Sequence, residues 1–249
     1  MDIYGLIGKN ISHSFSPDYF NEKFKKLGIN AEYRLFELND INEFPELITN
    51  NPEIKGLNVT SPFKKSLGQF MDFIDDPVDV TGTINTIKVE RENNETYLSA
   101  YNTDIIGFEK TIKPILKNND NNIRALILGS GGGSSAVSYV LRKYGILFFF
   151  ISRKPLKLLH SSYSWIDQAE MEDKLLIINT TPLGMYPDVD NYPPIPYEYI
   201  TEEHILYDLV YNPDETLFLK KGCERGATCI NGLEMFKIQA DESWKIWSM

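Results

Sequence analysis

The stretch LILGSGGGSSAV, residues 126–137, decides the fold of half of this 249-residue chain. Its glycines stand between an apolar, strand-like run and a helix-like run, in the pattern G-x-G-x-x-G with Ser134 at the third glycine position. Such a turn predicts a dinucleotide-binding loop, because glycine permits the tight turn and lets the backbone approach a pyrophosphate. The following helix N-terminus supplies free N–H groups and a partial positive charge. A glycine-rich turn without a ligand is the alternative interpretation. The residues predicted to contact the cofactor here are Gly129, Ser130, Gly131, Gly132, Gly133 and Ser134.

Apolar strands and amphipathic helices alternate on both sides of this loop. The predicted helices cover 132–145, 213–226 and 232–247, and the predicted strands are RALILG (124–129), ILFFFIS (146–152), LLIINT (175–180) and ILYDLV (205–210). Nearly continuous apolar strands separated by helices are typical of a doubly wound sheet that is covered on both faces. This half of the chain is therefore predicted to be a Rossmann-type α/β domain.

The second of these strands ends in Ser152, Arg153 and Lys154 rather than in an acidic residue. NAD sites usually place Asp or Glu here to accept a hydrogen bond from the ribose 2′-hydroxyl, whereas arginine forms charge-assisted bonds with a 2′-phosphate. The three residues therefore predict a preference for NADP(H). The alternative is that Arg153 and Lys154 are solvated loop charges.

The first hundred residues show a second alternation of strands and helices. Strand-like YGLIG (4–8), YRLFEL (33–38) and GLNVT (56–60) are separated by helices that begin at Pro17 and near Pro45. This order indicates a mostly parallel sheet, to which a hairpin over 84–101 adds an antiparallel portion. The chain is predicted to be a two-domain α/β protein, with a boundary near residue 102 and a crossing helix that starts at Asp104.

Composition argues against several other classes of function. A net charge of about −10 opposes a nucleic-acid partner, which requires a clustered basic face. Cys223 and Cys229 make no disulfide framework, and three scattered histidines show no metal-ligand spacing, so no metal is expected. No signal peptide is visible, and no apolar run approaches the roughly 20 residues of a membrane span. We expect no membrane partner and a cytosolic location.

Short polar motifs follow the predicted strands. The motif NVTSPFK (58–64) raises the question of whether its Lys64 is a surface residue or a functional one. Taken alone, its Lys64 would be a surface lysine, and Asp104 in NTDIIGF (102–108) would be a helix N-cap. The motifs stand in a fixed order with the glycine loop: SHSFSP (12–17), NVTSPFK, GTINT (82–86), NTDIIGF, LGSGGGSS, SRK, NTTPLGM (179–185), YDLVYNP (207–213) and NGLEMFKIQA (231–240). Across nearly the whole chain this set resembles the shikimate dehydrogenase family.

The resemblance implies a reversible, NADPH-dependent reduction of 3-dehydroshikimate to shikimate on the route to chorismate and the aromatic amino acids. It implies a substrate domain over 1–102, completed by a last helix within 231–249, and an NADP-binding Rossmann domain over 103–230. The partners would be the small-molecule substrate and NADP(H). The chain itself is expected to be a monomer or a homodimer.

The resemblance also assigns roles to individual residues. Lys64 and Asp104 match the catalytic pair at the reacting oxygen. Substrate contacts are implied for Ser14 and Ser16 at the carboxylate, for Asn58, Thr60, Asn85 and Gln239 at ring hydroxyls, and for Tyr211 near the carboxylate. Cofactor contacts are implied for Thr180, Leu209 and Gly232, and Met235 is a further candidate on the nicotinamide side.

The residue types suit this chemistry. Hydride arriving at a carbonyl carbon leaves alkoxide character on the oxygen, which requires a proton and a nearby positive charge. A lysine ammonium supplies both and a neighbouring carboxylate fixes its position, so Lys64 is the favoured proton donor over Asp104. Hydroxyl and amide side chains suit a polyhydroxylated acid, because each buried polar group left unpaired costs about 1–3 kcal/mol. Individually, the serines would be capping residues, Asn85 a turn residue and Gln239 an exposed helical residue.

The chain departs from the family pattern in places, and two rival functions stay open. Ser61 stands at a usually aliphatic position, SRK replaces NRT, and the short stretch between Arg153 and Leu175 predicts a reduced helix. One rival is a quinate/shikimate dehydrogenase of broader specificity, which the retention of both Ser14 and Ser16 disfavours. The other is a non-catalytic dinucleotide-binding regulator, which would be expected to have lost Lys64 or Asp104.

Overall fold

The computed structural model describes residues 1–118, 123–153 and 160–249. The helices are α1 (Ser16–Leu27), α2 (Phe44–Asn50), α3 (Asp76–Thr81), α4 (Thr103–Asn118), α5 (Gly132–Lys143), α6 (Gln168–Asp173), α7 (Leu217–Cys223) and α8 (Leu233–Ser248). The strands are β1 (Asp2–Gly8), β2 (Ala31–Glu37), β3 (Ile54–Val59), β4 (Phe73–Ile74), β5 (Thr86–Glu92), β6 (Glu95–Tyr101), β7 (Arg124–Leu128), β8 (Leu147–Ile151), β9 (His160–Ser161), β10 (Leu176–Asn179), β11 (Ile205–Asp208) and β12 (Thr228–Ile230).

The chain divides into two compact units, each built around one six-stranded sheet. The first unit comprises Met1–Ile106 and Gln239–Met249, and the second comprises Gly107–Ile238. Helices α4 and α8 each contribute residues to both units. The α/β fold class with two sheets is confirmed.

The sheet of the first unit has the strand order β2-β1-β3-β5-β6-β4. Strand β1 pairs in parallel with β2 and β3, whereas β5 is antiparallel to both β3 and β6. Asn93 and Asn94 turn the β5–β6 hairpin with positive φ angles of 51° and 67°, a conformation that Asn adopts more readily than most residues. The predicted mostly parallel sheet with an antiparallel hairpin is thus correct.

Both faces of this sheet are buried. Because side chains alternate along each strand, one strand contributes residues to the core on both faces. On β1, Ile3 and Ile7 join a cluster with Phe44 of α2 and Phe63, while Tyr4 and Leu6 join the opposite cluster. That second cluster contains apolar side chains of α1 and α8, among them Phe20, Phe24, Ala240 and Trp247. The last helix therefore completes the core of the first unit.

Gly56 on β3 makes room for Trp247. A Cβ atom added at Gly56 would overlap the indole ring of Trp247. The indole Nε1–H donates to the Ile87 carbonyl at 3.0 Å. Trp247 is 6% exposed. This contact fixes the end of α8 against β3 and β5.

The sheet of the second unit is parallel throughout, with the order β12-β11-β10-β7-β8-β9. Numbered within the unit, this is the Rossmann order 3-2-1-4-5-6. Strand order reverses between β7 and β10, and the glycine loop follows β7 directly. Ala125, Leu126, Ile127 and Leu128 of β7 are all fully buried, as the continuous apolar run predicts for a sheet covered on both faces.

Several local features differ from the sequence prediction. Helix α7 begins at Leu217 rather than near 213, because Thr216 caps it by accepting a hydrogen bond from the Leu219 N–H. The short strands β4, β9 and β12 and the short helix α3 were not predicted. The six-residue helix α6 agrees with the reduced helix that was expected between Arg153 and Leu175. The two cysteines, Cys223 and Cys229, form a disulfide for which the sequence offered no signal. Within the described ranges, no helix combines the length and apolarity that a membrane crossing requires.

Candidate active site

The polar motifs of the first unit gather at one edge of its sheet. Ile7 of β1 lies opposite Val59 of β3, Asn58 lies opposite Thr86 of β5, and Thr86 lies opposite Tyr101 of β6. The carboxyl ends of β1, β3 and β6 and the amino end of β5 therefore share this edge. The loops that leave these ends carry the predicted substrate and catalytic side chains.

Lys64 and Asp104 meet at this edge although they are far apart in the chain. The Lys64 Nζ donates to Asp104 Oδ2 at 2.5 Å, and the two side chains are only 17% and 11% exposed. Lys64 sits in the 3-10 turn Phe63–Lys65, which the buried Phe63 ring anchors in the core. The Ile84 N–H donates to the Lys64 carbonyl at 2.7 Å. The lysine is thus held at both its backbone and its ammonium group.

Asn85 holds the other oxygen of the same carboxylate. Its Nδ2 donates to Asp104 Oδ1 at 2.9 Å and to Thr103 Oγ1 at 3.0 Å, while its Oδ1 accepts from the Thr103 N–H at 2.7 Å. The Gln239 Oε1 lies 3.5 Å from Asn85 Nδ2. Lys64, Asp104, Asn85 and Gln239 therefore form one hydrogen-bonded group, which we call the lysine cluster.

Asn58 lies next to the lysine cluster, and its amide is hydrogen-bonded to other protein groups. Its Oδ1 accepts from the Tyr33 hydroxyl at 2.8 Å, and its Nδ2 donates to Ser243 Oγ at 2.9 Å and to Thr86 Oγ1 at 3.2 Å. The side chain is buried. This geometry suits a residue that supports the site, and the implied contact of Asn58 with the substrate ring stays a prediction.

Ser14, Ser16 and Thr60 lie near the same sheet edge, outside the lysine cluster. The Ser16 N–H donates to Ser14 Oγ at 3.2 Å at the start of α1, and the Thr60 N–H donates to the Ile7 carbonyl at 2.9 Å. Among the hydrogen bonds of the described residues, none joins these three side chains to Lys64 or Asp104. Their implied roles as substrate ligands stay predictions.

The glycine loop of the second unit packs against the residues predicted to surround it. Gly129 has a φ angle of 113°, and a Cβ atom there would lie 2.7 Å from Thr180 Oγ1. A Cβ at Gly133 would lie 3.0 Å from Leu209 Cδ2, and one at Gly232 would overlap the Leu209 carbonyl. The structure therefore brings Gly129, Gly133, Thr180, Leu209 and Gly232 together at the carboxyl ends of β7, β10, β11 and β12.

The surroundings of this loop fit a dinucleotide. Gly131 has open space where a Cβ would stand, and helix α5 starts immediately after it without a side-chain cap. Its first N–H groups are thus free to bind a phosphate. Ser130 and Gly132 complete the loop, and the Ser134 hydroxyl donates to the Gly131 carbonyl at 2.7 Å.

The end of β8 fits the 2′-phosphate of NADP. Ser152 is 7% exposed, and among the described residues its Oγ has no hydrogen-bond partner. A buried hydroxyl without a partner among the described residues is suited to donate a hydrogen bond to an oxygen of a bound anion such as a phosphate. The neighbouring Arg153 is exposed, and Lys154 lies outside the described residues.

Tyr211 belongs to the second unit and stacks on a neighbouring ring. Its ring centroid is 4.7 Å from that of Phe236, with 27° between the planes. Burial raises the pKa of Tyr211 to about 12, so the phenol keeps its proton at neutral pH. Its implied place beside the substrate carboxylate stays a prediction. Met235 is buried in the same unit.

Sequence reasoning missed the buried polar residues that support these sites. In the first unit they are Thr86, Thr103 and Ser243, and in the second they are Asn179, Asp208 and Thr216. All except Ser243 and Thr216 lie inside motifs that the sequence analysis quoted, so a strand-end motif was the available signal for them. Ser243 and Thr216 carry no such signal.

Asp208 is the charged member of this group. Its Oδ1 accepts from Asn179 Nδ2 at 2.9 Å and from the Val210 N–H at 3.0 Å, and its Oδ2 accepts from Thr216 Oγ1 at 2.6 Å. Burial raises the pKa of Asp208 to about 7, against these three hydrogen bonds, which lower it. The carboxyl group ties the loops after β10 and β11 to the start of α7.

Comparison with known proteins agrees with the geometry. The family model of the shikimate dehydrogenase substrate-binding domain matches residues 6–87. The shikimate dehydrogenase (NADP(+)) of Clostridium beijerinckii is 38% identical over 99% of this chain and 92% of its own length. The crystal structure of shikimate dehydrogenase from Aquifex aeolicus superposes with a TM-score of 0.86 at 32% identity, over 99% of this chain and 92% of that one. The Thermus thermophilus enzyme in complex with NADP(H) and shikimate gives a TM-score of 0.84 at 25% identity, over 100% and 94% of the chains.

Proposed function

This chain belongs to the shikimate dehydrogenase family, and we propose that Lys64 and Asp104 carry its reaction. The reaction is the reversible, NADPH-dependent reduction of 3-dehydroshikimate to shikimate in chorismate and aromatic amino-acid biosynthesis, so the chain is an NADP-dependent oxidoreductase acting on a CH–OH group. The observation that supports the catalytic pair is the 2.5 Å contact between the Lys64 ammonium and the Asp104 carboxylate.

In the direction of reduction, NADPH bound by the second unit would supply a hydride to the carbonyl carbon of the substrate. The Lys64 ammonium donates a proton to the carbonyl oxygen, which becomes the hydroxyl of shikimate. Asp104 aims the ammonium and balances its charge, and Asn85 fixes the carboxylate through its second oxygen at 2.9 Å. Because the Lys64 side chain is 17% exposed, the neutral amine recovers its proton from solvent after each turnover.

The hydroxyl and amide side chains of the first unit recognise the substrate in this proposal. Gln239 and Asn85 stand beside the catalytic pair and offer hydrogen bonds to ring hydroxyls. Ser14 and Ser16 bind the carboxylate at the carboxyl end of β1, and Thr60 contacts the ring from the end of β3. Asn58 is a further proposed contact for a ring hydroxyl, and Tyr211 is a proposed contact near the carboxylate.

The cofactor is held by the second unit. The glycine loop and the first turn of α5 would hold the pyrophosphate, with Gly129 permitting the tight turn and Gly131 the close approach of the backbone. Ser152 and Arg153 would bind the 2′-phosphate, and Thr180, Leu209 and Gly232 would contact the cofactor. We assign the substrate domain to 1–102 with 231–249 and the cofactor domain to 103–230, close to the limits of the two compact units.

The setting of the enzyme completes the proposal. Its partners are the small-molecule substrate and NADP(H), without a nucleic-acid or membrane partner. The protein acts in the cytosol as a monomer or a homodimer.

The catalytic assignment is tested by replacing Lys64 with alanine. Oxidation of NADPH by 3-dehydroshikimate is followed by absorbance, and general acid–base catalysis is worth about 10²–10⁴-fold, so we expect a loss of kcat in that range for Lys64→Ala. NADPH affinity, measured by fluorescence titration, stays at the wild-type value. The matched control is Lys65→Ala, because Lys65 is the exposed neighbour in the same 3-10 turn. Normal turnover in Lys64→Ala would remove this lysine from the mechanism.

A further inference from the structure

Ser243 is a fully buried serine on α8 at the junction of the lysine cluster and the sheet. Its hydroxyl lies 2.9 Å from Asn58 Nδ2, 2.8 Å from Thr86 Oγ1 and 3.1 Å from Thr103 Oγ1. It also donates to the backbone carbonyl of Gln239 at 2.9 Å. A hydroxyl has one proton and two lone pairs and so makes at most three hydrogen bonds, which means that these four neighbours more than fill its hydrogen-bonding capacity.

These contacts connect Ser243 directly to the side chains that surround the catalytic pair. Thr103, one of its partners, lies 3.0 Å from Asn85 Nδ2 and 3.4 Å from Gln239 Oε1. Asn85 in turn donates to the Asp104 carboxylate. Ser243 therefore contacts Gln239 through the helix backbone and reaches Asn85 through a single intervening hydroxyl.

We propose that Ser243 is a positioning residue for substrate recognition, which holds the Thr103 hydroxyl and through it the Gln239 amide in the orientation that a substrate ring hydroxyl requires. This inference rests on the proposed function. Amide groups have two orientations that differ in which atom donates, and only a fixed network of neighbours selects one. Removing the Ser243 hydroxyl leaves the Thr103 hydroxyl with one partner fewer, so the neighbour that orients the Gln239 amide is no longer fixed. Asn85 stays oriented by the Thr103 N–H and the Asp104 carboxylate.

Packing alone does not account for a serine at this place. Alanine would fill nearly the same volume on a helix and has the higher helix propensity. Serine is instead surrounded by polar atoms from β3, β5 and the start of α4, as well as from its own helix. Such a convergence is typical of a residue that specifies the arrangement of a polar site.

The test compares Ser243→Ala with Ser248→Ala in steady-state kinetics. Ser248 lies on the same helix and makes the same bond to the carbonyl four residues earlier, at 2.8 Å, but it is exposed and remote from the lysine cluster. Loss of one buried hydrogen bond corresponds to about a tenfold change, so we expect the KM for shikimate to rise about tenfold in Ser243→Ala. The KM for NADP changes less than twofold, and Ser248→Ala behaves as the wild type.

A merely structural role gives a different result. It would lower the thermal midpoint and the active fraction, and with them the apparent kcat, while the KM for shikimate stays at the wild-type value. That outcome overturns the proposal. Calorimetric titration with shikimate measures the same loss of affinity without turnover.

A second variant keeps the proposal testable if Ser243→Ala does not fold. Thr86→Val conserves shape and removes one hydroxyl partner of Ser243, so it should raise the KM for shikimate in the same selective way, and an unchanged KM refutes the inference. The proposed function fails separately, because wild-type protein that neither binds shikimate nor reduces 3-dehydroshikimate would contradict it whatever the Ser243 variants do.

Discussion

Replacement of Asp208 by asparagine should increase the stability of the protein relative to the wild type, and this gain should grow as pH rises. Asp208 is fully buried, and burial raises the pKa of its carboxyl group from 3.8 to about 7. Between these two values the unfolded chain releases a proton that the folded protein keeps. The free energy of unfolding of the wild type therefore falls as pH rises from about 4 to about 7 and is level above that range.

The size of the effect follows from the shift. One pKa unit corresponds to 1.36 kcal/mol, so a shift of about three units costs about 4 kcal/mol once the group is ionised in the folded state. Asparagine is neutral at every pH and keeps both acceptor contacts of Oδ1, with Asn179 Nδ2 and the Val210 N–H. Its Nδ2 faces the Thr216 hydroxyl, which can turn to accept.

The assay is urea unfolding followed by circular dichroism at pH 5.5, 6.5 and 8. The stability difference between Asp208→Asn and the wild type should shift in favour of the variant by about 2 kcal/mol between pH 5.5 and pH 8. Glu215→Gln is the control, because Glu215 is an exposed carboxylate close to the same loop and its removal should give no such trend. A difference that is constant across the three pH values, or that shifts against the variant, would refute the reasoning.

Four further outcomes are expected. Asp104→Asn should lower kcat at least about 100-fold with little change in the KM for NADPH, because the ammonium loses the charge that aims it; near-normal turnover would exclude Asp104 from the mechanism. Arg153→Ala should raise the KM for NADPH about tenfold or more but leave the KM for NADH unchanged. The control is Arg142→Ala in the last turn of α5, and equal effects on both cofactors would count against a 2′-phosphate contact. Gly56→Ala should lower the free energy of unfolding by about 1–3 kcal/mol because its methyl group displaces the Trp247 ring, and a neutral effect in urea unfolding would show that the ring moves freely. Oxidation assays with NADP should show kcat/KM for quinate well below that for shikimate, and equal values would place the enzyme in the broader-specificity branch.

Much of the fold could be read from local patterns. The apolar run YGLIG (4–8) predicted the strand that the structure shows as β1, and the glycine loop predicted the turn from β7 into α5. Such signals are local, because they depend on residues that are adjacent in the chain. The two-residue strands β4 and β9 were missed because their formation depends on neighbouring strands that are distant in sequence.

The candidate site was predictable only as a set of motifs. Lys64 and Asp104 were expected to meet because the motifs appeared together in one order, and the structure brings their side chains into contact. Their catalytic roles remain predictions. The inward direction of the Asn58 amide could not be read from its motif, because it is determined by Tyr33, Thr86 and Ser243, which come from three other segments.

The sequence by itself determined the two α/β sheets, the glycine loop and the family, since each follows from spacing along the chain. Tertiary structure alone decided that Ser243 and Asp208 are buried among polar partners, because burial and hydrogen bonding depend on which distant segments come together. Ser243 stands in an ordinary amphipathic helix, where nothing in its immediate neighbours distinguishes it from a solvent-facing residue. The motif around Asp208 marks the end of an apolar strand but indicates neither the burial nor the hydrogen-bond partners of its carboxyl group.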